Sequence, residues 1–230
     1  MKSTSLVVAF LLLFGGFAMA YEQPAYEVIQ KYEKFELRRY SPYIVAETEV
    51  TGAFEDVGNQ AFRILFSFIS GNNRKSEKIA MTAPVNQSPV DTEGEKIAMT
   101  VPVIQSPAPE SQDRKTYIFA FVMPSKYTLE TLPQPNDSRV KFRQVPGKLM
   151  AAHTYSGSWK EKKYRKHESL FLESLKKAGL SPLGSPVYAR YNSPFSLSFL
   201  RRNEVLVEIS DPSSIQTEKT SDEPQELLAK

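Results

Sequence analysis

The chain carries two histidines, His153 and His167, and no cysteine, so the chemistry open to its side chains is narrow. Without a thiolate there is no cysteine nucleophile, no Cys-ligated haem, no iron–sulfur cluster and no zinc finger. A serine triad needs one of the histidines beside an activated serine, yet no Gly-x-Ser-x-Gly occurs, and Gly157-Ser158 reads as a helix start. Glycine-rich phosphate loops are missing as well. A zinc site on His153 and His167 would need further ligands that no spacing singles out, so the two are expected to be structural or solvated, one in a strand and one on a helix face. The residue types point to binding rather than to hydrolytic or redox catalysis. With 14 Phe, 11 Tyr and 6 Met, the chain can line an apolar pocket for a flat ligand or fill a generous core.

The elements that must position these residues are organised around a phrase stated twice. Glu77-Lys-Ile-Ala-Met-Thr-Ala-Pro-Val85 returns as Glu95-Lys-Ile-Ala-Met-Thr-Val-Pro-Val103, with a polar Pro- and Gly-bearing segment between them. Two hairpin strands are expected, each placing its proline, Pro84 or Pro102, at a sheet edge or end. Met81 and Met99 are then core residues or the lining of an apolar pocket.

Lys2, the apolar run Leu6–Phe14 and Ala18-Met19-Ala20 have the form of a signal peptide. Residues 1–20 are therefore expected to be removed on entry to the secretory pathway, towards an extracellular, vacuolar or endomembrane-lumen location. The run is too short for a membrane span, so no stable insertion is expected after cleavage. Residues 211–230 hold five acids against two lysines and read as a disordered acidic tail. The remaining body, residues 21–210, has a mild basic excess without a dense Lys/Arg cluster, which argues against nucleic acid as a partner. Asn86-Gln-Ser and Asn136-Asp-Ser have the form of glycosylation acceptors.

Aligning the body on itself at an offset of 105 places Ile44-Val-Ala on Leu149-Met-Ala, Phe54 on Trp159 and Leu65-Phe66 on Leu170-Phe171. Two pseudo-repeats, about 26–124 and 139–210, follow from this. In the first, Phe35, Leu37 and Arg39 alternate with Glu36, Arg38 and Tyr40 as in a half-buried strand, Ser41-Pro42 turns, and Tyr43–Val50 is the next strand. Phe54, Val57, Ala61, Leu65 and Phe68 then form a helical stripe that Phe62, Phe66 and Ile69 widen, and Gly71 stops it. The second repeat has strands at Val140–Gln144 and Leu149–Tyr155, a helix from about Trp159 to Ala178 stopped by Gly179, and closing strands at Val187–Tyr191 and Val205–Ile209. The fold class is α+β: a duplicated ββαββ-type unit whose strands form a distorted antiparallel barrel or sheet with two packed helices.

The doubled Glu-Lys-Ile-Ala-Met-Thr-x-Pro-Val phrase resembles the signature of the SOUL haem-binding family, in a plant-type, signal-peptide-bearing form. Phe35-Glu-Leu-Arg-Arg-Tyr-Ser-Pro42, Tyr191-Asn-Ser-Pro194 and Arg201-Arg-Asn-Glu-Val205 extend the resemblance over roughly residues 26–210. It implies non-enzymatic binding of haem or another tetrapyrrole on a fold also used by bacterial effector-binding domains. Binding of another apolar small molecule on that effector-binding-like fold is the alternative, and a hydrolase is the remaining one. Some members have a histidine, proposed as axial ligand, where this chain has Arg39, and a guanidinium cannot ligate iron. Others bind haem on the apolar face of the first helix with basic residues towards the propionates. Carried over residue by residue, that mode implies contacts from Phe62, Arg63, Phe66, Ile69, Arg201 and Arg202, with no obligatory histidine. The other basic positions of that helix are Asn59 and Ser67 here.

Overall fold

The computed structural model describes residues 22–75, 94–107, 116–192 and 196–210. Residues 1–20, expected as a signal peptide, the first copy of the repeated phrase with Met81, Pro84 and Asn86, and the expected tail at 211–230 lie outside the described residues. In chain order the elements are β1 (Tyr26–Lys31), β2 (Glu36–Tyr40), β3 (Tyr43–Thr51), α1 (Phe54–Ile69), β4 (Asn73–Arg74), β5 (Val103–Pro107), β6 (Thr116–Val122), β7 (Gln134–Pro135), β8 (Lys141–Val145), β9 (Lys148–Ser156), α2 (Glu161–Lys177), β10 (Pro182–Arg190) and β11 (Arg202–Ile209). Nine strands make one antiparallel sheet in the order β1, β2, β9, β11, β10, β5, β6, β3, β8, and β4 pairs with β7 apart from it.

At the offset of 105, β2 falls on β8 and β3 on β9, end to end. Leaving β1 aside, β2 and β9 at one end of the sheet mirror β8 and β3 at the other, with β10 and β5 side by side at the centre of those eight strands. One feature runs against the expected pairing of neighbours: Ser41-Pro42 and Pro146-Gly147 do not close hairpins. β2 leaves its own half to pair with β9, and β8 pairs with β3, so the first strands of the two halves are exchanged. The two connections pass closely at this crossing, where a Cβ on Gly147 would lie 3.1 Å from the Tyr40 carbonyl oxygen. Glycine fits because the backbones approach there.

Both helices lie on one face of the sheet. Val57, Ala61, Leu65 and Phe68 of α1 and Tyr164, Phe171 and Leu175 of α2 are buried against Leu37, Ala46, Phe119, Phe121, Ala151 and Val205. α2 ends as its sequence predicts, with Gly179 at φ +72° and the Leu180 amide donating back to the Leu175 carbonyl at 3.0 Å. The other face is buried too. Arg38 and Tyr40 of β2, whose alternation reads as a half-exposed strand, are both covered, because the sheet curls round its helix-free side into a half-barrel.

The expected hairpin at the second copy of the phrase is corrected. Residues 95–102 make no ladder, and the strand starts only at Val103, directly after Pro102. Its backbone is tied instead to the end of α1: the Ile97 amide donates to the Ile69 carbonyl at 2.8 Å, and Asn73 bonds Glu95 through both its amide nitrogen and its oxygen. Once those partners satisfy the segment, no strand ladder is needed. Met99 is partly buried against the helix-side core.

Candidate ligand-binding site

Gly58, Phe62 and Phe66 recur at four-residue spacing along one flank of α1. The Phe62 and Phe66 rings stack with centroids 5.4 Å apart and planes within 13°, and Phe62 also packs on Phe121 at 5.7 Å. Phe66 is 45% exposed, whereas Ile69 is 4% exposed and belongs to the core. Arg63 stands on a different flank, in a shallow depression with Asp56, Asn59, Gln60 and Arg139.

Arg190 of β10 joins this flank to α2. Its Nε donates to the Tyr164 hydroxyl at 2.8 Å and its Nη2 to Gln105, while Nη1 lies so close to Gly58 that a Cβ there would be 2.9 Å away. The same guanidinium faces Trp159 at 5.1 Å, and Arg201 covers that indole at 4.2 Å. Arg201 Nε donates to the Ser196 carbonyl at 2.9 Å, and Trp159 Nε1 to Asn203 Oδ1 at 2.8 Å. A chain of contacts thus runs from Gly58, on the flank of Phe62 and Phe66, through Arg190 and Trp159 to Arg201. Sequence reasoning assigned neither bridging residue to the site. Trp159 carried a signal, its match to Phe54 across the repeat, but Arg190 had none until β10 was placed beside β5.

Arg202 takes no part in that chain of contacts. On the helix-free face its Nε and Nη2 donate to Glu204 Oε1 at 3.2 and 2.7 Å, and its guanidinium lies 4.0 Å over the Tyr191 ring. Glu204, fully buried, also takes Arg38 through two nitrogens at 3.0 to 3.2 Å, the Tyr191 hydroxyl at 2.6 Å and the Thr154 hydroxyl at 3.0 Å. Burial alone would raise the Glu204 carboxyl, but hydrogen bonds and charge from Arg38, with help from Tyr191 and Arg202, hold it below the usual carboxylate range. Burial pushes Tyr40 up to about 12, so it remains a phenol beside Arg38.

The two histidines meet. His153 Nδ1 lies 2.6 Å from the Lys34 carbonyl oxygen and its Nε2 lies 3.1 Å from His167 Nδ1. The carbonyl makes His153 Nδ1 the donor, so Nε2 accepts from His167. His167 stacks on Tyr155 at 3.9 Å, and burial, with His153, Lys163 and Lys166 nearby, pushes it down to about 4. Among the described residues no group of three or more His, Asp or Glu gathers to hold a metal. Arg39 lies on β2, five strands away from β6 and six from β3, on which α1 packs, so the family's histidine position is remote from the Phe62–Phe66 wall.

A separate cavity of about 240 Å³ opens on the helix-free face, lined by residues of both halves including Tyr40, Tyr43, Ile104, Ala120, Val187 and Leu206.

Compared with known proteins, the chain matches the family model described as SOUL heme-binding protein over residues 21–208. No curated protein sequence matches it. Among solved structures it is similar to the C-terminal domain of EcmrR, 11% identical with a TM-score of 0.55, covering 81% of this chain and 98% of that one. EcmrR in a complex with DNA gives 10% identity and a TM-score of 0.54, covering 76% and 57%. A structure called a hydrolase from Listeria innocua is 13% identical with a TM-score of 0.48, covering 79% and 94%. At such identities the likeness to EcmrR shows the fold and nothing further. The family match spans most of the sequence and all the strands of the curled sheet but the last residue of β11, and by it the chain belongs to the SOUL heme-binding protein family.

Proposed function

We propose that the protein binds haem or a related tetrapyrrole reversibly and without catalysis, as a carrier, buffer or sensor, against the Phe62–Phe66 wall of α1. The observation that carries this reading is the pair of parallel rings left partly open to solvent in a member of a heme-binding family. The residues fit such a ligand: two stacked rings match a flat apolar macrocycle, and Arg201, linked to this flank of the helix through Trp159, Arg190 and Gly58, suits a carboxylate. Ile69 supports the wall from within the core. Arg202 is held by Glu204, and Arg63 reaches only a ligand that overhangs the helix. Covering about 300 Å² of apolar ligand surface contributes roughly 7 kcal/mol before association costs of similar size, which sets the affinity in the micromolar range. An exposed propionate pair adds only about 1 kcal/mol.

Haemin and iron-free protoporphyrin titrations of the purified protein, followed by Soret absorbance and Tyr/Trp quenching, test this. Both should saturate, Phe66→Asp should weaken both at least about tenfold, and His153→Gln with His167→Gln should leave both unchanged. Binding that survives Phe66→Asp but is lost with the histidines would make the helix wall wrong.

A second reading rests on the cavity of the helix-free face. At about 240 Å³ it lies below the roughly 300 Å³ at which ordinary ligand pockets begin, so it suits a small apolar molecule and not a tetrapyrrole. We further propose residues 21–210 as the mature binding domain of two repeats, delivered through the secretory pathway, on the strength of Lys2, Leu6–Phe14 and Ala18-Met19-Ala20. N-terminal sequencing that returns Met1 would remove that proposal.

A further inference from the structure

Leu197, Phe199 and Leu200 are 59, 68 and 66% exposed, three large apolar side chains within four residues. Residues Ser198–Leu200 form a single 3-10 turn, held by the Leu200 amide on the Leu197 carbonyl at 3.0 Å, so the side chains are presented from an ordered turn. Scattered exposed leucines are ordinary on protein surfaces, but a contiguous cluster at a tip calls for an apolar partner.

The surroundings of the turn are cationic. Pairing of Arg202 with Ser156 sets the turn beside the β9–α2 connection, where Asn203 Nδ2 donates to the Gly157 carbonyl at 3.1 Å. The Lys163 side chain lies against Gly157, whose φ of +133° and lack of room for a Cβ keep that approach open. Lys160 is exposed at the start of α2, and Arg201 lies over Trp159 next to the turn. The nearest acid along the helix, Glu161, is engaged by Arg165 at 3.3 Å. A tip of leucine and phenylalanine, a Trp–Arg stack behind it and flanking lysines are the parts of a surface that sits in a bilayer interface: apolar residues enter the acyl boundary, the indole occupies the headgroup level, and the cations meet lipid phosphates.

We propose that the 197–200 turn docks this protein peripherally on anionic phospholipid membranes. The apolar tip supplies insertion, and Lys160, Lys163 and Arg201 supply attraction to the headgroups. Neither signal alone holds a protein to a membrane, and here both occur at one end of the molecule. The proposal shares Arg201 with the tetrapyrrole reading but does not rest on it, and it is tested without ligand and at other residues.

The experiment is co-sedimentation of the purified, ligand-free protein with vesicles of phosphatidylcholine alone and of phosphatidylcholine mixed with phosphatidylserine. The wild type should bind the mixed vesicles at least about tenfold more strongly than the neutral ones and lose that preference as salt is raised. Phe199→Asp/Leu200→Asp should lower binding at least about tenfold, and Lys160→Glu/Lys163→Glu should abolish the preference for the anionic lipid. Ile29→Asp, at an exposed apolar position of β1, should change nothing. Circular dichroism confirms that each variant is folded, and all four substituted positions of the tip and helix start lie outside the core. Three results overturn the proposal: equal binding to neutral and anionic vesicles, tip variants that bind as the wild type does, or a wild type that binds neither vesicle but self-associates through the tip in sedimentation velocity runs.

Discussion

At His167 burial, with the nearby His153, Lys163 and Lys166, disfavours the charged imidazole, and its pKa falls from the ordinary 6.5 to about 4. The unfolded chain therefore binds a proton below pH 6.5 that the folded chain refuses. This stabilising contribution is fully present above 6.5 and is lost as the pH falls towards 4. With solvent screening at a half-exposed ring allowed for, the loss is on the order of 1 kcal/mol. Urea unfolding at pH 7 and pH 4.5 checks it: the stability difference should shrink in His167→Gln, and an unchanged difference would show that carboxylates alone account for the slope. Glu204 carries more. Glu204→Gln leaves the buried Arg38 guanidinium with only the partly exposed Glu36 carboxylate, 2.9 Å away, as counter-charge, and should cost roughly 3 kcal/mol, read as a fall in the urea midpoint. Arg202→Ala should likewise lower stability and leave haemin affinity unchanged, while Arg201→Ala should do the reverse, because adjacent residues face opposite sides of the sheet.

The two helices show at the level of elements why one stripe holds a fold together and its neighbour is left for a ligand. Phe171 is fully buried under α2 and contacts Phe35 edge-on at 5.9 Å. Phe171→Ala should cost roughly 3–5 kcal/mol. Phe66, one turn before Ile69 on α1, is half open. Phe66→Ala should move stability by less than about 1 kcal/mol, whereas Ile69→Ala should cost roughly 2–4 kcal/mol. Thermal or urea unfolding of the pair separates wall from core, and similar losses at both positions would mean that Phe66 is core.

For the whole molecule the decisive feature is the exchange of β2 and β8 between halves. Each repeat contains the sequence of a complete ββαββ unit, but its own sheet is completed by the other repeat's first strand. We expect residues 22–137 and 138–210 expressed separately to show no cooperative unfolding, since each would expose an unpaired edge and an uncovered apolar face. Mixed together they should recover the native spectrum. A single half that folds alone, with sharp amide dispersion, would show that the exchange is dispensable.

Local signals sufficed for much of this. The limits of α1 and β3, the stop of α2 at Gly179 and the 105-residue repeat were legible because period, turn chemistry and duplication are written in neighbouring residues. Phe62 and Phe66 were likewise legible as surplus apolar surface on a helix. Other features needed the tertiary structure. The alternation in β2 separates two faces but does not say that both are covered; the curl of the sheet decides that Arg38 and Tyr40 are buried. Residues 95–102 have the composition of a strand, and only the end of α1 and Asn73, by taking up their hydrogen bonds, keep them out of the sheet. His153 with His167, Arg38 with Glu204 and Arg190 with Gly58 are pairs 14, 166 and 132 residues apart along the chain. No local pattern marks partners so distant, because which strand lies beside which follows from how the two halves fit together, and a pairing of β2 with its sequence neighbour would have served the same local preferences.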